Sequence, residues 1–175
     1  MKCSARPRGF SLIELMVTIA VIGFMMVLAL PSMGKASRAA RERGVVQKMV
    51  QDFTWARGAA SAGDASTLLA GTSGAPTLVL QLSADCHWTT TVNGTTDPTH
   101  SMTLADVTTQ ASGIACTSAS VGTTIPALTY PVTFTFTSQG YVSASGNVTA
   151  TGATGQVFKL NIFSSGSIIQ GNSAS

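Results

Sequence analysis

The stretch that decides the fold is FSLIELMVTIAVIGFMMVLAL, Phe10 to Leu30, 21 residues in which Glu14 is the single charge. Coiled as an α-helix it is about 31 Å long. That is the thickness of a bilayer's hydrocarbon core, so residues 10–31 are expected to form a transmembrane helix. Lys2, Arg6 and Arg8 stand in front of it, and basic flanks stay on the cytoplasmic side. The N-terminus is therefore expected in the cytoplasm and the rest of the chain outside. A secretory signal also pairs a basic start with an apolar core, but that core is about 7–15 residues long and ends at a small-residue cleavage site. Here the run is longer, and Ala29-Leu30-Pro31-Ser32 is a poor site of that kind. A lipoprotein signal does not fit, because Cys3 precedes the apolar run instead of closing it.

Glu14 sits deep in this span, where an acidic side chain costs about 2.5–3.5 kcal/mol on insertion scales. It therefore calls for a positive partner. The octapeptide Arg8-Gly9-Phe10-Ser11-Leu12-Ile13-Glu14-Leu15 resembles the class III signal of type IV prepilins and type II secretion pseudopilins. The resemblance implies a leader of residues 1–9, cut after Gly9 by a prepilin peptidase that also methylates the new amino terminus, Phe10. It implies that Glu14 pairs with the amine of a neighbouring subunit, which would supply the missing cation. Pro31 matches a family proline that kinks or locally melts the helix. The partners implied are the peptidase, other pilins or pseudopilins of the fibre, the inner-membrane assembly platform and the lipid bilayer. The place implied is the inner membrane with a periplasmic head, and later the fibre.

Beyond the span, residues 32–60 read as a second, amphipathic length of helix. Val46, Met49, Phe53, Ala56 and Ala60 recur at helical spacing and make one apolar stripe, with Arg41, Lys48, Gln51 and Arg57 off it. Gly44 weakens the helix interior, and Gly58, Gly63 and Asp64 place its stop shortly after Trp55. Residues 61–76 are a Gly/Ser-rich loop by composition. Strands are expected at Thr77–Leu82, Cys86–Val92, Ser101–Leu104, Val132–Thr137, Tyr141–Ser145, Val157–Phe163 and Ser167–Gln170, the last four as two hairpins. FTFTSQGYV (Phe134 to Val142) parallels LNIFSSGSI (Leu160 to Ile168), each with a Gly-marked turn. Val132, Phe134 and Phe136 share one face, Phe158, Leu160 and Ile162 another, and these faces are the natural cover for the helical stripe. Residues 95–127 are expected as loops around short strands. The fold class is α+β: a long transmembrane-plus-amphipathic helix packed on a small antiparallel β-sheet head, residues 61–175.

Charge is divided along the chain. The overall +3 comes from the N-terminal third, whereas residues 61–175 hold Lys159 against Asp64, Asp85, Asp97 and Asp106. A mildly acidic head argues against a nucleic-acid partner, since grip on a phosphate backbone needs clustered Lys and Arg. Lys35, Arg38, Arg41 and Arg43 are open to three readings: contact with anionic headgroups, a solvated helix face, or subunit contacts. With Cys3 in a leader, Cys86 and Cys116 remain as an even pair in an oxidising compartment, where one disulfide is expected; two unpaired buried thiols are the alternative.

The order helix, loop, β-rich domain is similar to the GspH/FimT group of minor pilins and pseudopilins. Asp52-Phe53-Thr54-Trp55-Ala56-Arg57-Gly58-Ala59 resembles that group's helical segment, and Ile162 to Ile169 its closing strand-Ser-Gly-strand. Some members are credited with binding DNA through a basic Gly-Arg end. Here Gly166 is followed by Ser167-Ile168-Ile169, without a basic residue.

No catalytic residues and no cofactor are expected. Asp85, Cys86, His87 and His100 lack metal-ligand spacing, and no G-x-S-x-G elbow occurs. Trp55 is expected in the core near the helical stripe, with a partner interface as the other possible place for Trp55 and Trp88. The reading is a structural subunit, a minor pilin or pseudopilin of a type IV pilus or type II secretion pseudopilus with a tip or priming role. The alternatives are a pilus-borne receptor for DNA or a surface ligand, and a secreted hydrolase with an ordinary signal.

Overall fold

A computed structural model describes residues 11–62, 77–120 and 125–172, with the side chains of 27–32 and 172 left outside that description. Helix α1 runs from Leu12 to Ala62. Eight strands and a short helix follow: β1 (Leu78–Leu82), β2 (Trp88–Val92), β3 (Thr95–Met102), α2 (Leu104–Gln110), β4 (Ala115–Thr117), β5 (Val132–Phe136), β6 (Gly146–Thr151), β7 (Val157–Ile162) and β8 (Ile168–Asn172). The chain divides into two compact units, Met1–Ser37 and Arg38–Ser175. The expected leader, residues 1–9, and residues 63–76 of the expected loop 61–76 lie outside the described residues, whereas residues 61 and 62 belong to α1.

In the first unit, α1 carries apolar side chains on all sides, and they are exposed: Leu12, Ile13, Leu15, Met16, Val17, Ile19, Phe24 and Met25 among them. A helix apolar all round belongs inside a protein or a membrane. Among the described residues no helix is long and apolar enough to cross a membrane. The expected span, 10–31, reaches past the described residues at Phe10 and past the described side chains from Val27 onward.

The second unit is α+β, with α1 packed on antiparallel sheets. There are two of them, where one small sheet was expected: β3-β2-β1-β5 and β4-β6-β7-β8. The stripe of α1 is fully covered, since Val46, Met49, Phe53, Ala56 and Ala60 are all buried, with Val45 beside them. In the first sheet β1 sits between β2 and β5, with Leu80 opposite Thr90 on one side and Phe134 on the other. Period-two alternation then turns Leu78, Leu80, Leu82, Val132, Phe134 and Phe136 inward together. Phe53 meets Phe134 and Phe136 edge-on, with centroids 5.4 and 5.0 Å away. The second sheet adds Cys116, Val148, Ala150, Leu160 and Ile162 to the same core, and Phe158 packs partly buried against it.

Four tight turns share one construction. At 83–86, 137–140, 152–155 and 163–166 the first N–H donates to the carbonyl four residues on, and the fourth N–H donates back to the first carbonyl. This is a type I turn closed by a left-handed residue. Gly140, Gly155 and Gly166 hold the left-handed place with φ of 79, 83 and 71°, and Cys86 holds it with φ of 57°. The parallel between 134–142 and 160–168 is thus a repeated turn. The hairpin expected after the first copy is cut down to a single antiparallel bridge, Phe136 with Val142, because Tyr141–Ser145 does not continue as a strand. Ser143 N–H still bonds Thr135 O, but Val142 N–H bonds Ser164 O, so the chain is leaving one sheet for the other.

Other differences have local causes. The helix runs past Trp55 to Ala62 because Ala56 and Ala60 are buried, which holds Gly58 within it. It is also unbroken at Gly44. Leu104 opens α2 instead of ending a strand: Thr103 Oγ1 accepts from Asp106 N–H (3.2 Å), and Asp106 Oδ2 accepts from Thr103 N–H (3.1 Å). This is a reciprocal capping box. Strand β6, which small residues conceal in the sequence, lies between β4 and β7.

Removing Phe53 strips both aromatic contacts. Phe53→Ala is expected to lower unfolding stability by about 3–5 kcal/mol. Tyr141→Ala, at an exposed side chain, is expected to stay within about 0.5 kcal/mol. Denaturant unfolding followed by tryptophan fluorescence checks both.

Candidate functional site

The processing residues Gly9 and Phe10 lie outside the described residues. The next residue, Ser11, caps α1: its Oγ accepts from Glu14 N–H (3.3 Å), while its carbonyl accepts from Glu14 N–H (3.0 Å) and Leu15 N–H (3.2 Å). Glu14 therefore lies in the first turn of α1, where the helix dipole favours an anion. Its side chain is exposed among apolar neighbours, and among the described residues no cation forms an ion pair with it. A lone carboxylate at the start of an uncovered apolar helix can do one kind of chemistry, which is to attract a cation from outside its own chain. The helix expected to kink or melt at Pro31 continues through it without a break.

Polar groups fix the head to α1 from beneath. Glu42 is 2% exposed, and its carboxylate accepts from Thr154 N–H (3.0 Å) and from the Thr154 hydroxyl. Gly152 allows this approach, since a Cβ there would collide with the carboxylate. Arg43 Nε donates to Gln156 Oε1 (3.1 Å) on the same hairpin. Further along the helix, buried Asp52 accepts from Lys48 Nζ (2.8 Å) and from Trp88 Nε1 (2.9 Å). Trp88 is thus a core residue, not an interface one. Lys48 also donates to Thr99 O (3.1 Å) on the edge strand β3. Trp55 stacks face to face on His100, with centroids 3.5 Å apart. It lies partly buried beside the core.

The two segments that carried the weaker resemblance meet in space. A Cβ at Gly166 would lie 3.0 Å from Arg57 Cδ and would collide with the Gly140 carbonyl. Arg57 thus lies against both glycine turns, one from each sheet's hairpin system. Cys86 and Cys116 form a disulfide (S–S 2.03 Å) joining the β1–β2 turn to β4. Alongside it, Cys116 N–H donates to Ala84 O (2.7 Å). His87 and His100 do not converge: His87 Nδ1 is buried without a hydrogen-bond partner in the structure, while His100 Nδ1 lies 2.8 Å from Asp97 Oδ2. Among the described residues no group of three or more His, Cys, Asp and Glu is placed to hold a metal ion.

An uncovered apolar stretch of helix with an acidic first turn thus precedes an α+β unit. The family model of the prokaryotic N-terminal methylation motif matches residues 4–30. That match supports a type IV pilin-type precursor, processed by a prepilin peptidase and assembled in a fibre, and it is consistent with an inner-membrane anchor before assembly. No curated protein and no solved structure matches the chain.

Sequence reading missed the Ser11 cap, the Glu42–Thr154 tie and the Trp55–His100–Asp97 stack. The S-x-x-E spacing of Ser11 and Glu14 was a usable signal for the first. The other two depend on pairings between residues 112 and 45 positions apart, for which the sequence carries no local sign.

Asp97 titrates under opposing influences. Burial raises its carboxyl, but the hydrogen bonds from His100 and from Thr99 N–H, with the His100 charge, together hold it below its ordinary value. A carboxyl lowered in the folded state contributes stability that is present above the unfolded value and is lost as pH falls through the folded one. Asp97→Asn is therefore expected to flatten the fall in melting temperature below about pH 4, as read by melting curves between pH 2 and 6.

Proposed function

We propose that the chain is a minor pilin or pseudopilin of the GspH/FimT type, a structural subunit without enzymatic activity. It anchors in the inner membrane with its head in the periplasm and then enters a fibre, near the tip, as a priming or adaptor subunit. The observation that carries this reading is the methylation-motif match at residues 4–30, on a helix whose apolar surface is uncovered. The contact of Arg57 with Gly166 lends support to the subgroup, because it brings together the two segments that resemble it. In this mechanism Glu14 neutralises the amine of a neighbouring subunit's first residue while the apolar helices bundle. The head then sets which subunits stand next to it.

Two measurements test it. Mass spectrometry of the mature protein is expected to find methylated Phe10 at the amino terminus; a start near residue 31 or beyond would overturn the pilin reading. Glu14→Ala is expected to leave membrane insertion intact and to reduce incorporation into fibres by about tenfold or more, since an uncompensated charge in an apolar bundle costs about 2.5–3.5 kcal/mol. Normal incorporation of that variant would reject the ion-pair mechanism.

A further inference from the structure

The edge strands of the head are β3 and β5 in the first sheet and β4 and β8 in the second. All but β8 are blunted. On β3, Pro98 offers no N–H, Thr99 N–H donates to Asp97 Oδ1 (2.8 Å), and the carbonyls of Asp97 and Thr99 accept from Ser101 Oγ (2.6 Å) and Lys48 Nζ (3.1 Å). On β5, Ser143 N–H donates to Thr135 O (3.0 Å), and Thr135 N–H donates to Ser143 Oγ (2.9 Å). On β4, Cys116 N–H donates to Ala84 O (2.7 Å), and Thr117 O accepts from the Tyr130 hydroxyl (3.2 Å).

Strand β8 is different. Phe163 N–H donates to Ser167 O, and bonded pairs alternate along an antiparallel ladder. With Ile168 opposite Ile162 and Ile169 opposite Asn161, it is Ile169 and Gly171 that bond to β7. Ile168 and Gln170 therefore turn their N–H and C=O groups outward, where no partner meets them among the described residues. Ile168–Asn172 also lacks the charges and proline that blunt an edge. Its side chains are accessible as well, since Gln170 is exposed and Ile169 is 55% exposed.

We propose that β8 is a self-pairing edge, through which two copies of the chain join antiparallel and continue the second sheet across the contact. A second copy is the occupant because the other described edges are blunted, so the open edge it presents is its own β8. The strand is also complementary to itself. Outward groups bond only to outward groups, and the register that pairs the whole of Ile168–Asn172 is centred on Gln170. Gln170 then faces the partner's Gln170, and Ile169 faces the partner's Gly171. Each exposed isoleucine thereby lies beside a position without a side chain. With no charge on the strand, nothing repels the copy. This contact is made by the head and is independent of the membrane-anchored reading above.

Sedimentation equilibrium of the full chain, in detergent micelles matched in density to the buffer, provides the test. The wild type is expected to form dimers. Gln170→Lys and Gln170→Glu each set like charges against one another at the centre of the pairing, and each is expected to weaken the dimer about fivefold. A one-to-one mixture of the two variants sets Lys against Glu and is expected to recover wild-type association or better. A monomeric wild type overturns the proposal. Association that neither variant changes also overturns it, because such association would belong to the apolar helix. If both variants weaken the dimer and their mixture stays weak, residue 170 does not face its own copy and the pairing is rejected.

Discussion

The structure depends on one constraint: the apolar stripe of α1 must be covered, and it is buried in one core with residues of both sheets. Phe53 is wedged against the aromatic face of β5, while Leu160, Ile162 and Val148 close the core from the second sheet. Burial of this kind is the main favourable term in folding. Its loss from either sheet would open the single core that the stripe shares with both. Each polar tie around the stripe then has a defined task. Glu42 holds the β6–β7 turn, Asp52 holds Trp88 inside the first sheet, and Arg57 lies under the two glycine turns. Buried polar groups persist where they are satisfied: Glu42 and Asp52 fix sheets to helix, whereas Thr90 and Asn147 bond within the sheets.

The same logic separates the two lengths of α1. From Arg38 onward its apolar side is consumed by the head, whereas the stretch up to Met26 has its apolar side chains exposed on every side. A surface of that extent marks an interaction site for lipid or protein. The methylation motif, matched over residues 4–30, includes that uncovered stretch.

Legibility in the sequence followed the strength of periodicity. The stripe from Val46 to Ala60 and the inward faces of β5 and β7 could be read directly, because apolar and polar residues alternate at the helix or strand period there. The segment Thr95–Met102 could not. Its strand is an edge with Pro98 in it, held by side-chain bonds such as Ser101 Oγ with Thr90 N–H (2.8 Å), and period-two hydrophobicity is missing from such a strand. Strand β6 was hidden for a different reason. Gly146 is small because its neighbours crowd it: a Cβ there would collide with Leu128. Tyr141–Ser145 reads as a strand by composition, yet its backbone is shared between two sheets. For the candidate site, the chemistry of Glu14 was legible from a charge in an apolar run. The inward turn of Glu42 was not, because its partner is 112 residues away.

Cys86 occupies the position that glycine fills in the three sister turns, and it is also half of the bridge between the sheets. The amide–carbonyl contact of Cys116 with Ala84 sits beside the sulfurs and demands the same alignment of turn and strand. The corner where the sheets join is therefore specified twice, once by backbone pairing and once by sulfur. Oxidation at this corner records an arrangement that the main chain already encodes.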